Sequence, residues 1–420
     1  MERYSEYKDS GVQWLGEIPG HWGCVQNRFI FKENIRFPQE NDTPLSLSQV
    51  DGLIPTDDMK ESSLKTSSYD NWKRVHIDDI VLNRFKAHLG VLFASKYIGM
   101  VSFHYGVFEM IRPIIPKYYE YMFHSDQFRL ILGFASKGMT VGLQNLGNAD
   151  FYNLKSLYPP IEEQHSIVSY LDDKCGKIDK MLEGKQKQIE LLAEMKQRII
   201  ADAVTRGLNP DVKMKATNIP WLPEIPEHWD VKRGKNLFNK EQRPIEEGDE
   251  IVTCFRDGEV TLRKNRRTTG FTEATDYSHY QHICKGDLVI HQMDAFAGSS
   301  GVSDSDGMGT PVLSVCTARI EGVNHYYFAY ILRLMGKNNF ILSLYRGIRE
   351  RSSDFRFETF AKQYLPVPPA IEQEQIVKFI HERSSKIDTL TSKLQQEIES
   401  IKEYKQRLIS DVVTGQIKVC

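Results

Sequence analysis

No run of apolar residues in this chain is long enough to span a bilayer, and its start, MERYSEYKDSGVQWLGEIPG, lacks the basic-then-apolar order of a secretory leader. A cytoplasmic protein is expected. Cysteine is sparse: Cys24, Cys175, Cys254, Cys284, Cys316 and Cys420 are scattered without a C-x-x-C pair, which argues against a disulfide framework. The strongly basic balance of many nucleic-acid binders is also missing, because the formal net charge is -2. Any phosphate-binding surface therefore has to be local, and Lys and Arg do gather in Arg256 to Arg267 (RDGEVTLRKNRR) and Arg346 to Arg356 (RGIRERSSDFR).

Signatures of catalysis are absent as well. Tyr158-Pro-Pro-Ile and Val367-Pro-Pro-Ala lack the flanking Asn/Asp and aromatic groups of an adenine-methylating site. GFASKGMT from Gly133 lacks the lysine that a phosphate loop places against the β- and γ-phosphates. His279, His282 and Cys284 cluster, with His291 nearby, but their spacing matches no common zinc module, so no metal is assigned. No nucleophile–base pattern stands out, and no catalytic residue is assigned.

What is present is a repeat. YPPIEEQHSIVSYLDDKCGKIDKMLEGKQKQIELLAEMKQRIIADAVTRG from Tyr158 aligns without a gap to VPPAIEQEQIVKFIHERSSKIDTLTSKLQQEIESIKEYKQRLISDVVTGQ from Val367. A second shared block, WLGEIPGHW from Trp14 and WLPEIPEHW from Trp221, opens each half. Between the blocks the halves diverge, apart from echoes such as DIVLNRFKAHLGV at Asp79 and DLVIHQMDAFAGSSGV at Asp287. Two units with long divergent inserts differ from a stacked solenoid and suggest one frame presenting two variable surfaces.

The proline pairs block helix upstream, so a short helix is expected after each. From Ile178 a seven-residue frame places Ile178, Leu192 and Ile199 at one seam position and Met181 and Met195 at another. The second copy gives Ile387, Leu394, Ile401 and Leu408, with Leu390 and Tyr404. Each stretch reads as a long amphipathic helix; Lys177 to Thr205 would extend on the order of 45 Å. Lys185 and Gln188 interrupt the first seam and Glu397 the second, where an antiparallel mate or a partner chain could compensate. Short β-branched runs such as DIVLNRF, VFEMIR, DLVIHQM and VLSVCTARI predict strands. PKYYEYMFHSDQFRLIL and NHYYFAYILRLMGKNNFILSL predict helices whose aromatics serve the core.

The fold class expected is α+β: two mixed α/β domains in a pseudo-two-fold arrangement, separated by two long antiparallel coiled-coil-like helices. The domains are placed at 1–158, with a conserved block at 10–33, and at 221–367. Helical regions occupy 159–206 and 368–420, and 207–220, with glycine, two prolines and no period, is a linker.

Together W-L-x-E-I-P-x-H-W, G-D-L-V-I before a loop ending in Gly298, P-P-x-x-E-Q and the K-I-D to K-Q-R helix, in this order, cover nearly the whole chain. This pattern resembles the specificity subunits of type I restriction-modification systems. The first half departs from it where DIVLNRFKAHLGV lacks the glycine found at Gly286. The resemblance implies a non-catalytic subunit of a bacterial or archaeal host-defence enzyme, in which each insert is a target-recognition domain reading one half of a split double-stranded DNA site. It further implies two methyltransferase subunits docking on the conserved regions, with motor-nuclease subunits joining for restriction. S-adenosylmethionine, ATP and Mg would then belong to those partners, with no cofactor in this chain. The other reading is a coiled-coil adaptor or remnant subunit without sequence-specific DNA binding.

DNA reading needs cations for phosphate and bidentate groups for bases. Candidates in the first insert are Arg84 and Lys86, then Lys137, Gln144 and Asn145 in KGMTVGLQN. In the second they are Arg263, Lys264, Arg266, Arg267 and Gln292, followed by Arg346, Arg349 and Arg351.

Overall fold

The runs Ile80–Leu82 and Leu288–Ile290 are apolar on both faces, so a strand built from either must be covered on both sides. The structure is a computed structural model that describes the chain except residues 1, 13–14, 50, 60–68, 70, 139–143, 268, 271–275, 345–353 and 420. It divides into two compact units, Met1–Lys187 with Leu394–Cys420, and Gln188–Lys393. Each contains a four-stranded antiparallel sheet with one of these runs as an inner strand. The order is Phe31–Glu33, Tyr105–Met110, Ile80–Asn83, Leu92–Ala94 in the first unit. In the second it is Phe238–Glu241, Leu313–Ala318, Leu288–His291, Ser300–Val302.

Alternate side chains of these strands serve two cores, as the period of two requires. Ile80 and Leu82 join Phe31, Phe108, Tyr119 and Phe123, while Val81 joins Leu45, Val75 and Val107 on the opposite face. In the second unit Leu288 and Ile290 pack with Phe238 and Phe328, whereas Val289 packs with Val252, Ile283 and Val315. The inserts thus share one architecture despite their divergent sequences. The first aromatic segment breaks at Ser125 into Pro116–His124 and Asp126–Ala135; the second forms His325–Lys337 and Phe340–Ser343. Tyr118, Tyr119, Phe123, Tyr327 and Phe328 are fully buried.

Each long helix is continuous, Ile161–Arg206 and Ala370–Val413, so no separate short helix follows the proline pairs. The stripe of lower exposure runs through Ile178, Leu182, Lys185, Ile189, Leu192, Lys196 and Ile199, and through Ile387, Thr391, Leu394, Ile398, Ile401, Lys405 and Leu408. Met181, Met195, Leu390 and Tyr404, expected on the seam, are about half exposed. The frame had the right period and the wrong phase: the second seam position falls four residues after Ile178 and Ile387, not three. Within the first unit the helices are joined by Lys185–Glu397 and, at 2.6 Å, Lys405–Asp179; within the second, Lys196–Asp388 is 2.7 Å. The sequence order of these pairs makes the two helices antiparallel. Their lysines lie with stems along the seam and ammonium groups at its edge.

The shared sequence blocks meet in space. In the first unit Glu163 of P-P-x-x-E-Q accepts from Trp22 Nε1 (2.9 Å) and Tyr4 Oη (2.8 Å), and contacts His21 Nε2 at 2.5 Å. In the second, Glu372 contacts His228 at 2.8 Å. The neighbouring Gln164 and Gln373 are buried, and their side chains bind the backbone that leads into the aromatic helices, at Ile115 N and Asn324 N (each 2.9 Å). Closing strands Lys155–Tyr158 and Tyr364–Val367 pair with Gly23–Gln26 and Asp230–Arg233, so each unit is sealed just before its long helix. The stretch expected as a linker includes the strand Met214–Ile219, paired with Leu222–Pro226, as Tyr7–Asp9 pairs with Glu17–Pro19. Where the first half lacks the glycine equivalent to Gly286 (φ 94°), Asp78 takes the left-handed conformation itself (φ 70°), which Asp tolerates better than most residues. Among the described residues no helix is long and apolar enough to cross a membrane.

Burial pushes the Glu163 carboxyl up, but hydrogen bonds from Trp22, His21 and Tyr4 outweigh it and hold the group below the usual carboxylate range. A depressed folded value means stability that is present above the ordinary range and lost as pH falls through the folded value. Glu163→Gln is therefore expected to cost about 1–2 kcal/mol at neutral pH. In thermal melts across pH, its deficit relative to the wild type should close in acid; a pH-independent deficit would contradict this.

Candidate nucleic-acid interface

In both units the inner strand runs into a tight turn organised by its last residue. Asn83 Oδ1 accepts from the Phe85 and Lys86 amides at 3.1 and 3.2 Å, and His291 Nδ1 accepts from the Asp294 amide at 3.1 Å. Burial pushes the His291 imidazole below its ordinary value, which suits this acceptor role. The aspartate of the D-[IL]-V motif works from the other end: Asp79 accepts from Arg36 (2.6 Å) and the His76 amide (2.7 Å), and Asp287 from Arg243 (2.5 Å) and the Cys284 amide (2.8 Å). These motif carboxylates hold the turn that leads into the strand.

The residue after the strand then receives a distant segment. Arg84 O accepts from Leu146 N at 3.0 Å, and Gln292 O accepts from Phe355 N at 2.9 Å. Leu146 and Phe355 are buried anchors that follow, in sequence, the KGMTVGLQN and RGIRERSSD segments. The structure thus brings Arg84, Lys86, Lys137, Gln144 and Asn145 into one neighbourhood, with Lys137 and Asn145 bridging through their backbones (2.9 and 3.0 Å). Arg346, Arg349 and Arg351 lie outside the described residues, but the end of their segment is fixed beside Gln292.

The individual side chains differ in what they are free to do. Arg84 donates to Glu33 Oε1 (2.8 Å) and Asn148 Oδ1 (2.7 Å), and Asn148 returns a bond to Glu33, which Lys73 also contacts at 2.9 Å. This arginine is a member of a largely enclosed network. Lys86 is exposed, Lys137 is exposed beside Asp150 (2.8 Å), Gln144 is half-buried and Asn145 exposed. In the second unit Lys264 pairs with Glu250, and Arg266 pairs with Asp257 (2.7 Å) and Glu259 (2.8 Å) while covering the Phe255 ring at 4.3 Å. Arg267 reaches the Thr269 carbonyl at 3.3 Å. Arg263 opens the turn Arg263–Asn265 and is half-buried. The Gln292 amide makes only long contacts, 3.4 Å to Pro311 O and 3.3 Å to Ser314 Oγ.

Sequence reasoning missed Phe85 and Met293, which occupy equivalent positions after Arg84 and Gln292 and are 42% and 44% exposed. Phe85 lies beside His104, itself against the exposed Phe103. A large apolar residue at the same turn in both repeats was the available signal. His279 is exposed and His291 half-buried in its turn, whereas His282 and Cys284 come together with Asp306.

Arg84→Ala leaves Glu33 and Asn148 short of a partner and is expected to lower unfolding stability by about 1–3 kcal/mol. Lys86→Ala, at an exposed site, should stay within about 0.5 kcal/mol of the wild type. Urea denaturation distinguishes them, and equal effects would contradict the network role of Arg84.

Comparison with known proteins agrees with this duplicated geometry. The sequence profile described as the type I restriction modification DNA specificity domain matches residues 226–400. The type I restriction enzyme MjaVIII specificity subunit of Methanocaldococcus jannaschii is 24% identical over 82% of this chain and 80% of its own. A chain solved in work on complex assembly and conformational transition of the type I R-M system superposes with a TM-score of 0.69 at 15% identity, covering 95% of this chain and 99% of that one. The HsdS subunit from Thermoanaerobacter tengcongensis gives 0.54 at 15% identity, covering 95% and 98%. The profile, the relative and the shared fold converge with the duplicated motifs on one likeness: residues 226–400 match the DNA specificity domain, and the chain as a whole is similar to the specificity subunits of type I restriction-modification systems.

Proposed function

We propose that each unit reads one half of a bipartite double-stranded DNA site and that the two long helices set the separation of the halves. The supporting observation is the repeated junction at Arg84 and Gln292, where the backbone just after the inner strand accepts from the amide of a buried anchor, Leu146 in one repeat and Phe355 in the other. Equivalent scaffolds carry different side chains there: Lys86 in one unit is replaced by Asp294, paired with Arg256 at 2.9 Å, in the other. A common frame with different exposed groups suits recognition of two different sequences. Phosphate contacts from Lys86 and Lys137 would position the first unit, while Gln144, Asn145 and Gln292 supply amides suited to adenine edges. Arg346, Arg349 and Arg351 would serve the second unit, and Phe85 and Met293 offer apolar contact to thymine methyls or sugars. Arg84 acts chiefly by holding the turn.

In this reading the chain performs no chemistry. Methylation is carried out by two methyltransferase subunits docked on the conserved regions, and ATP-dependent cleavage by motor-nuclease subunits, which supply the sites for S-adenosylmethionine, ATP and Mg in the cytoplasm.

The test is co-expression with the methyltransferase subunit of the same system in a methylation-free host, followed by mapping of modified bases. A split motif with a fixed gap is expected, and alanine at Arg346 and Arg349 should weaken recognition of one half-site while leaving the other unchanged. A stable complex that marks no split motif would contradict the proposal.

A further inference from the structure

The second unit carries a group of metal-binding side chains for which DNA reading has no use. His282 lies in the strand Gln281–Ile283 and Cys284 follows two residues later, so both side chains emerge on one face. The partner strand Gly307–Gly309 places Gly307 opposite Ile283, which sets Asp306 across from Cys284. Donor atoms of His282, Cys284 and Asp306 lie within 4.8 Å of one another. Glu246 Oε1 approaches from a neighbouring loop, 3.9 Å from His282 Nε2.

The surroundings orient these donors. Asp249 receives the other ring nitrogen of His282, Nδ1, at 2.9 and 3.1 Å, which leaves Nε2 with its lone pair for a cation. The Lys285 amide donates to Asp306 Oδ1 at 2.8 Å and fixes that carboxylate. His282 and Asp249 are buried side chains, whereas Asp306 is exposed with one oxygen held by the Lys285 amide, and Glu246 is exposed on its loop. Nitrogen, sulfur and oxygen donors together select a borderline cation over Mg or Ca.

The other repeat provides an internal control. Arg74 stands opposite Met100 as His282 stands opposite Met308. Asp42 pairs with Arg74 at 3.1 Å and accepts from the Gln39 amide at 2.7 Å, just as Asp249 pairs with His282 and accepts from the Glu246 amide at 2.8 Å. The places of Cys284 and Asp306 are taken by His76 and Ile98. The first unit therefore meets its buried carboxylate with a permanent cation, and the second meets the same carboxylate with a ligand set.

We propose that His282, Cys284 and Asp306, with Glu246 as fourth donor, bind a Zn²⁺ ion that ties the strand pair 281–283 and 307–309 to the loop at 246–249. Tetrahedral Zn²⁺ with bonds of about 2.0–2.3 Å holds its donors roughly 3.3–3.8 Å apart, so His282, Cys284 and Asp306, within 4.8 Å of one another, draw together only slightly, while Glu246 closes on the ion from its exposed loop position beside His282. Asp249 is the positioning residue for the imidazole. The site stands independently of how the protein reads DNA.

Chelator-treated full-length protein titrated with Co²⁺, used as the spectroscopic probe, tests this. One equivalent should bind, giving a sulfur-to-cobalt charge-transfer band and the visible absorption of four-coordinate Co²⁺, both displaced by Zn²⁺. Cys284→Ser should abolish the charge-transfer band. Asp306→Asn, a change at an exposed position, should weaken binding at least tenfold while circular dichroism stays native. Absence of the band, its survival in Cys284→Ser, or unchanged affinity in Asp306→Asn would each overturn the site.

Discussion

Each compact unit depends on burying the C-terminal end of a helix that begins in the other half of the sequence. The last turn of a helix carries carbonyls without intrahelical partners, and burying them is costly unless donors are supplied. In the first unit Tyr118 Oη donates to Val413 O at 2.9 Å, in a core shared with Leu408, Ile409 and Val412. In the second, Tyr327 Oη donates to Val204 O at 2.9 Å among Ile200 and Ala203. The reciprocal use of one tyrosine hydroxyl in each repeat makes neither half of the sequence self-sufficient. Within each unit the held helix end and the lysine–carboxylate pairs of the seam, Lys185–Glu397 and Lys405–Asp179 in the first and Lys196–Asp388 in the second, agree on one register.

Residues identical between the halves turn out to be joints. His21 and His228 meet Glu163 and Glu372, Gln164 and Gln373 tie the entrance of the aromatic helices, and Asp79 and Asp287 brace the turn before the inner strand. What differs between the halves surrounds the strand-end turns: Arg84 against Gln292, Phe85 against Met293, Lys86 against Asp294. The duplicated scaffold keeps its packing joints in common while the side chains at the strand-end turns diverge.

Much of the fold was legible because duplication and residue pattern leave direct marks: DIVLNRF and DLVIHQM read as strands, and the K-I-D to K-Q-R segments as long helices. The seam phase was not legible, since Met181 and Leu182, or Leu390 and Thr391, are neighbours of ambiguous preference and only packing chooses between them. Arg84 stands among the DNA-contact candidates, and its partners Glu33 and Asn148 could not be read from the sequence because only folding brings them onto it. Asp306 escaped notice for the same reason: its proximity to His282 and Cys284 is made by strand pairing rather than by sequence spacing.

Changing the length of the helix pair tests directly whether it sets the distance between two reading surfaces. One heptad inserted into each long helix, at matched positions beside Lys185 and Glu397, keeps the seam in phase and adds about 10 Å, the rise of roughly three base pairs. Mapping of modified bases should then show both half-sites unchanged and the gap lengthened by about three base pairs. An unchanged gap, with both half-sites still recognised, would contradict the account.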